Sequence, residues 1–340
     1  MSSLLQHPNA HIKLWLYCIA ALVVCMVIVG GATRLTDSGL SITEWKPLLG
    51  TIPPLTDADW MSAFEKYQLI PEYQIQNKGM SLDDFKFIYW WEWAHRFLGR
   101  FIGLAFAVPL IYFAATKKLS RGLWPRLIAL FVLGGAQGAL GWYMVASGLE
   151  DRVDVSQHRL AAHLTLAAII LVAILWVALG LGKERLRPKT FDQRFAQALV
   201  ALVLFQIAAG GFVAGLDAGM GYSTWPQMDG QWVPDGLLAM SPVWLNPFEN
   251  AMTVQFNHRI IAYLVIIAAI AYAWRTRTKQ SLILAIAVLA QVLLGILTLV
   301  LQVPLAAALA HQAGAMLVLS LAVWNLHSSL LIQSPDRDQR

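Results

Sequence analysis

Eight long apolar runs, at roughly residues 12 to 32, 90 to 116, 124 to 147, 157 to 182, 195 to 216, 253 to 274, 281 to 303 and 305 to 331, dominate the chain. Each is long enough to cross a bilayer as a helix. Backbone polar groups in lipid must be satisfied internally, which leaves helices or closed barrels, and runs of this length are too long for barrel strands. The expected fold is an all-α integral membrane protein with eight transmembrane helices. A balance of 58% hydrophobic to 13% charged residues in 340 agrees with it. No basic region precedes the first run, which is expected to remain as a helix rather than serve as a cleaved signal.

Basic residues set the orientation. The connections after the second, fourth and sixth runs carry Lys117, Lys118, Arg121 and Arg126; Lys183, Arg185, Arg187, Lys189 and Arg194; and Arg275, Arg277 and Lys279. The positive-inside rule places these loops and both termini in the cytoplasm. The net charge of +5 then reflects membrane orientation, and no nucleic-acid partner is expected. Two longer segments, about 33 to 89 and 217 to 252, face the other side. Their tryptophans, among them Trp45, Trp60, Trp90, Trp91, Trp93, Trp225, Trp232 and Trp244, suit an interfacial layer. The spacing of Trp60, Phe64 and Tyr67 predicts a short helix lying on the surface, and Ser81 with Asp84 resembles a capping box that starts the second spanning helix.

The chain also repeats itself. After the first run it reads GGATRLTDSGLSITEW and after the fifth GGFVAGLDAGMGYSTW, so Gly30, Gly31, Asp37, Gly39 and Trp45 match Gly210, Gly211, Asp217, Gly219 and Trp225. Ala136, Gln137 and Gly141 answer Ala290, Gln291 and Gly295. The expected organisation is two pseudo-symmetric four-helix bundles, residues 1–187 and 188–340.

Four histidines, His95, His163, His258 and His311, fall into the same repeat, each near the start of a different run and at one depth. A lone histidine in an apolar helix is often a hydrogen-bonded core residue, but recurrence in both halves points to metal or haem ligation. Zinc or copper would also accept imidazole. Two histidines per bundle, with no nearby cysteine or carboxylate in one half, suit bis-imidazole haem better. Arg96 and Arg259 could pair haem propionates, or anchor the helices at the interface. His158, five residues before His163, lies about 140° around the helix from it and reads as an interfacial or substrate-side residue. His7, His11 and His327 lie away from the common depth and read as structural.

The halves differ at one informative place. Glu92 stands three residues before His95, whereas Gln255 stands three before His258. An ionisable group there is expensive and functional by default, so the first half is the better candidate for chemistry, with Glu92 as acid, base or cation stabiliser. The competing reading pairs Glu92 with Arg96 or Arg100. Cys18 and Cys25, the only cysteines, lie on one face of the first run and are expected to pack rather than react.

The segments GGATRLTDSGLSITEWKPLLGTIPPL, FIYWWEWAHRFLGR, QHRLAAHL, FNHRIIAY and AHQAGAML resemble those of the haem A synthases, over residues 12 to 330. The resemblance implies oxidation of a haem O methyl group to a formyl group, through an alcohol and a hydrated aldehyde, to supply haem A for cytochrome oxidase. It implies that His95 and His163 bind the substrate haem, that His258 and His311 bind a haem b cofactor, and that Glu92 is catalytic. It further implies haem O synthase and cytochrome oxidase assembly factors as partners; a homo-oligomer is left open. The short N-terminus without an Arg-rich presequence favours a bacterial inner membrane over a mitochondrial one, and the basic loops put the haem sites toward the periplasm. Many bacterial members carry a cysteine pair in the first outer loop; here it is missing, and the chain is similar to the cysteine-lacking branch. Alternatives are a bis-His dihaem b-type electron-transfer cytochrome and a transporter built from two repeats.

Overall fold

The computed structural model describes residues 9–45, 49–149, 152–182 and 190–330. In chain order the helices are α1 (Ala10–Leu35), α2 (Asp57–Tyr67), α3 (Pro71–Ile75), α4 (Leu82–Ala115), α5 (Trp124–Ala146), α6 (Gln157–Gly180), α7 (Phe191–Gly215), α8 (Ala218–Gly221), α9 (Asn246–Glu249), α10 (Ala251–Thr276), α11 (Lys279–Val300) and α12 (Leu305–Ser329). Eight of them, α1, α4, α5, α6, α7, α10, α11 and α12, are long and apolar enough to cross a membrane. They correspond one to one with the apolar runs.

The largest difference in bounds is at α4, whose apolar run begins near residue 90 but whose helix begins at Leu82. Ser81 accepts the Asp84 N–H at 3.2 Å and donates its hydroxyl to the Asp84 carboxylate at 2.6 Å, so the cap lies where the sequence places it. With 34 residues, α4 is about 51 Å long, against a hydrocarbon layer of about 30 Å. Its first turns therefore project beyond the other helices. Helix α2, started by a Thr56–Asp59 capping box, lays its apolar face on that projection. Trp60 meets Tyr89 at 5.0 Å between ring centroids, Phe64 meets Phe85 at 5.0 Å, and Tyr67 meets Phe85 at 5.3 Å. Trp60, Phe64 and Tyr67 are thus buried against protein. The surface helix exists, but α4 offers its apolar face a closer partner than lipid.

Helices α1, α4, α5 and α6 pack in a ring in that order, and α7, α10, α11 and α12 form a second ring in the equivalent order. The rings meet through α6 with α7, α1 with α12, and α6 with α12, the pattern of a pseudo-twofold axis running between α6 and α12. Small residues make the approach possible, as between membrane helices generally. A Cβ at Gly211 on α7 would stand 2.8 Å from the Ala161 Cα on α6, and one at Gly31 on α1 would strike the Gln312 side chain on α12. Arg34 at the end of α1 crosses between the rings to Asp217 at 2.6 Å, with Asp37 at 2.9 Å and Asp154 at 3.6 Å.

The long connections lie at one end of the bundle, the capped end. Lys117, Lys118 and Arg121 lie in the connection at the other, with Arg126 in the first turn of α5 there, as do Arg275, Arg277 and Lys279. Lys183, Arg185, Arg187 and Lys189 fall outside the described residues, as do His7 and the expected bundle boundary between 187 and 188. Cys18 and Cys25 correct an expectation: both are free and exposed on one face of α1 rather than packed, because the buried face of that helix is Trp15, Leu16, Ile19 and Val23. His327 is buried at the far end of α12 beside Trp176, with ring centroids 5.6 Å apart, away from the four histidines of the repeat.

Candidate functional site

Each of the four repeated histidines lies against a glycine of a neighbouring helix. A Cβ on Gly30 of α1 would come within 3.1 Å of His95 Nε2 on α4, and one on Gly141 of α5 within 2.9 Å of His163 Cε1 on α6. In the second ring a Cβ on Gly210 of α7 would come within 3.2 Å of His258 Cε1 on α10, and one on Gly295 of α11 within 2.7 Å of His311 Cε1 on α12. Within each ring the histidines occupy one diagonal pair of helices and the glycines the other. His95 lies within electrostatic reach of His163, and His258 of His311. The glycine doublets of the repeat thereby divide their work. The first glycine seats a histidine of its own ring and the second abuts the opposite ring.

Three of the four imidazoles are also gripped by a glutamine. Gln137 Nε2 donates to the His163 carbonyl at 3.0 Å and lies 3.2 Å from its Nδ1; Gln206 does the same to His258 at 3.1 and 3.2 Å, and Gln291 to His311 at 2.7 and 3.1 Å. Each glutamine stands four residues before the seating glycine, one turn along the same face. The equivalent place before Gly30 is Met26, a thioether with no N–H to offer. These glutamines were missed in the sequence, although the spacing of glutamine followed four residues later by glycine recurs three times. Gln137 and Gln291 stand out there only as matches between the halves.

Glu92 is 2% exposed and its side chain faces donors on every side. Oε2 accepts the Ser41 hydroxyl and the Ile42 N–H, both at 2.7 Å, and Oε1 accepts Arg96 Nε at 3.0 Å and Nη2 at 2.6 Å. Arg96 continues to the Ile42 carbonyl at 2.8 Å and the Glu44 carbonyl at 3.3 Å. In the second ring Gln255, 3% exposed, accepts Arg259 Nη2 at 2.9 Å and donates Nε2 to the carbonyls of Ala218 at 2.7 Å and Tyr222 at 3.1 Å. Arg259 continues to the carbonyls of Tyr222 and Thr224, both at 2.9 Å. The two arrangements are the same staple with opposite polarity. The loop turns N–H and O–H groups toward a carboxylate in the first half and carbonyls toward an amide in the second. Of the two partners the sequence offers Glu92, Arg96 is the one it takes.

His158 does not join the four. Its Nε2 meets Glu249 Oε1 at 2.7 Å, between the rings of Phe212 and Phe248, while Gln157 holds the other Glu249 oxygen at 2.5 Å. It is a contact between the halves at the capped end.

The donor set suits haem rather than a bare cation. Among the described residues no three or more His, Cys, Asp or Glu side chains gather as a metal cage. Structural zinc takes four protein ligands, whereas a porphyrin fills four positions itself and asks for one or two axial ligands. A pair of imidazoles over paired glycines meets that requirement in each half. Arg259 Nε and Trp93 Nε1 are buried without a partner and are donors of the kind that acidic substituents of a bound macrocycle would satisfy.

Comparison with known proteins places these features in context. The cytochrome oxidase assembly protein family matches residues 13–323. The chain is similar to proteins named heme A synthase: 54% identical over 326 residues to that of Parvibaculum lavamentivorans, covering 94% of each chain. It is 56% identical over 333 residues to that of Azorhizobium caulinodans, covering 95% of each, and 50% identical over 321 residues to that of Brucella ovis, covering 92% of this chain and 90% of the relative.

Proposed function

The chain belongs to the cytochrome oxidase assembly family of haem A synthases, and on that premise we propose that it oxidises haem O to haem A with a division of labour between its halves. The half made of α1, α4, α5 and α6 takes the substrate, with His95 and His163 as iron ligands. The half made of α7, α10, α11 and α12 keeps a haem b, with His258 and His311 as its ligands, and that group when bound supplies electron transfer. Arg96 and Arg259, braced at the capped end of each site, are placed for the propionates. The positive-inside rule puts the capped end on the periplasmic side of a bacterial inner membrane.

The observation that carries this assignment is the pair Glu92 and Gln255. A reaction that converts a methyl to a formyl group develops positive charge on the substrate edge and releases protons. A buried carboxylate, prefixed by four donors, stabilises such charge with no reorganisation at the moment of reaction. Gln255, neutral in the same frame, offers a resident cofactor no such stabilisation. A second difference supports the same assignment. A pair with one ungripped ligand, His95 beside the gripped His163, suits a site whose occupant must leave as product, and a pair with both ligands gripped, His258 and His311, suits haem that stays.

The test is extraction and chromatography of haem from the purified protein and its variants. Haem b together with haem O or haem A is expected from the unaltered chain. His258→Ala and His311→Ala should lower haem b selectively, and His95→Ala and His163→Ala should lower haem O and haem A. Haem b alone at two per chain would instead assign an electron-transfer cytochrome.

A further inference from the structure

The cap over the first site contains a carboxyl group that the reaction as described does not use. Glu72, on α3 of the first long connection, is 2% exposed. One of its oxygens is buried without a partner. The hydroxyl of Tyr67, itself fully buried, lies within interacting reach of the carboxyl and accepts Asn77 Nδ2 at 2.7 Å. Among the described residues the charged groups that act on Glu72 from the packed elements are acidic: Glu92 on α4, Asp37 after α1 and Asp154 before α6.

The two cations beside these acids are already engaged. Arg34 is shared among Asp37, Asp154 and Asp217, and Arg96 is held by Glu92 and two carbonyls. Four carboxylates thus face two guanidinium groups before Glu72 is counted, and among the described residues no further cation bonds the carboxyl, so that its ionisation would bury a charge without a partner. Desolvation, reinforced by those acids and only partly opposed by the Tyr67 hydroxyl, moves the Glu72 carboxyl up to about 8.

Resting on the reading of Glu92 given above, we propose that Glu72 is a positioning residue that must carry its proton: as a neutral acid it lets α2 and α3 close over Glu92, and its ionisation unseats them. Folding of the cap binds this proton. The cap is therefore undisturbed in acid, loses stability as pH climbs above the ordinary carboxylate range, and ionises while still folded only near 8. The substitution that separates this role from simple packing is Glu72→Gln, which keeps the shape and the neutral charge; Glu72→Ala tests packing alone.

Two readouts are independent of the reaction. Infrared difference spectra of the purified full chain between Glu72 and Glu72→Gln should contain a protonated carboxyl band at pH 7 that is lost on raising the pH through about 8. Limited trypsin cleavage at Lys78, exposed beyond α3, should accelerate in the unaltered chain as pH climbs above the ordinary carboxylate range and level off near 8, a rise that Glu72→Gln should lack. Haem A formation should lose its alkaline limb in the same variant. Absence of the band, or an unchanged rise in cleavage in Glu72→Gln, would overturn the proposal. If band and cleavage behave as expected while no haem A forms at any pH, the assignment of the reaction fails and the role of Glu72 in the cap stands.

Discussion

Glu92 holds Arg96 through a single carboxylate oxygen, at 3.0 Å to Nε and 2.6 Å to Nη2, and keeps its other oxygen for the loop at Ser41 and Ile42. The residue is thus both a loop anchor and the one negative charge of its frame, and the two roles can be separated.

Glu92→Gln removes the charge and keeps the shape. The Ser41 hydroxyl can turn to accept the new amide, but the Ile42 N–H then opposes a donor, at a cost of about 1–3 kcal/mol. The variant is expected to fold and to retain haem in both halves, while haem A formation falls by roughly 100-fold, the scale of losing one preorganised electrostatic partner. Conversion at the unaltered rate would leave Glu92 a purely structural residue.

The seating glycines should be intolerant in a site-specific way. Gly295→Ala puts a methyl group 2.7 Å from His311 Cε1, and Gly141→Ala puts one 2.9 Å from His163 Cε1. Each should reduce haem occupancy in its own half only. Gly138→Ala on α5, where a Cβ meets nothing within 4 Å, should leave the haem-to-protein ratio unchanged and is the control for expression and folding.

Gln291→Leu deletes the donor that fixes the His311 ring and its carbonyl. Haem retention in the second half should weaken by about 10- to 100-fold, the usual effect of removing a group that orients a metal ligand. The contrasting exchange, Met26→Gln, installs the missing grip beside His95. It is expected to slow product release, read as haem A accumulating on the protein; equal release rates would remove the argument that Met26 keeps this site exchangeable.

The start of α2 gives the cap a second, opposite pH dependence. The exposed Asp59 carboxyl accepts the Thr56 N–H and hydroxyl, which hold it below the usual carboxylate range. Its contribution is present above that range and fades as pH falls through it. Thr56→Ala should weaken the helix start by about 1 kcal/mol, seen as faster hydrogen exchange over residues 57–60 at neutral pH. With Glu72 withdrawing stability as pH climbs above the ordinary carboxylate range, the cap should be tightest close to that range.

Most of the architecture was legible because lipid leaves a chain so few options: eight apolar runs could only be eight helices, and the Ser81 cap was readable to the residue. The four histidines and Glu92 were legible because they broke an apolar pattern and recurred or failed to recur between the halves. What remained hidden was everything set by helix rotation. The glutamines and glycines that hold the imidazoles are unremarkable as letters, and only the diagonal arrangement of helices brings Gly295 under His311. Cys18 and Cys25 share a face as their spacing requires, yet spacing cannot say whether that face meets protein or lipid. Glu72 carried no motif, and its burial follows from α4 rising far enough to support a roof.

The opposite polarity of the two loop staples bears on how such a chain could have arisen from a duplicated half. Glutamate and glutamine codons differ by one nucleotide, so the exchange at 92 and 255 is genetically trivial. It is physically conditional, since an amide facing Ser41 and the Ile42 N–H, or a carboxylate facing the carbonyls of Ala218 and Tyr222, is mismatched. Exchange of the two residues therefore requires the backbone of the loop above each to change with its side chain, and a chimera that transplants one without the other should lose the staple in that half.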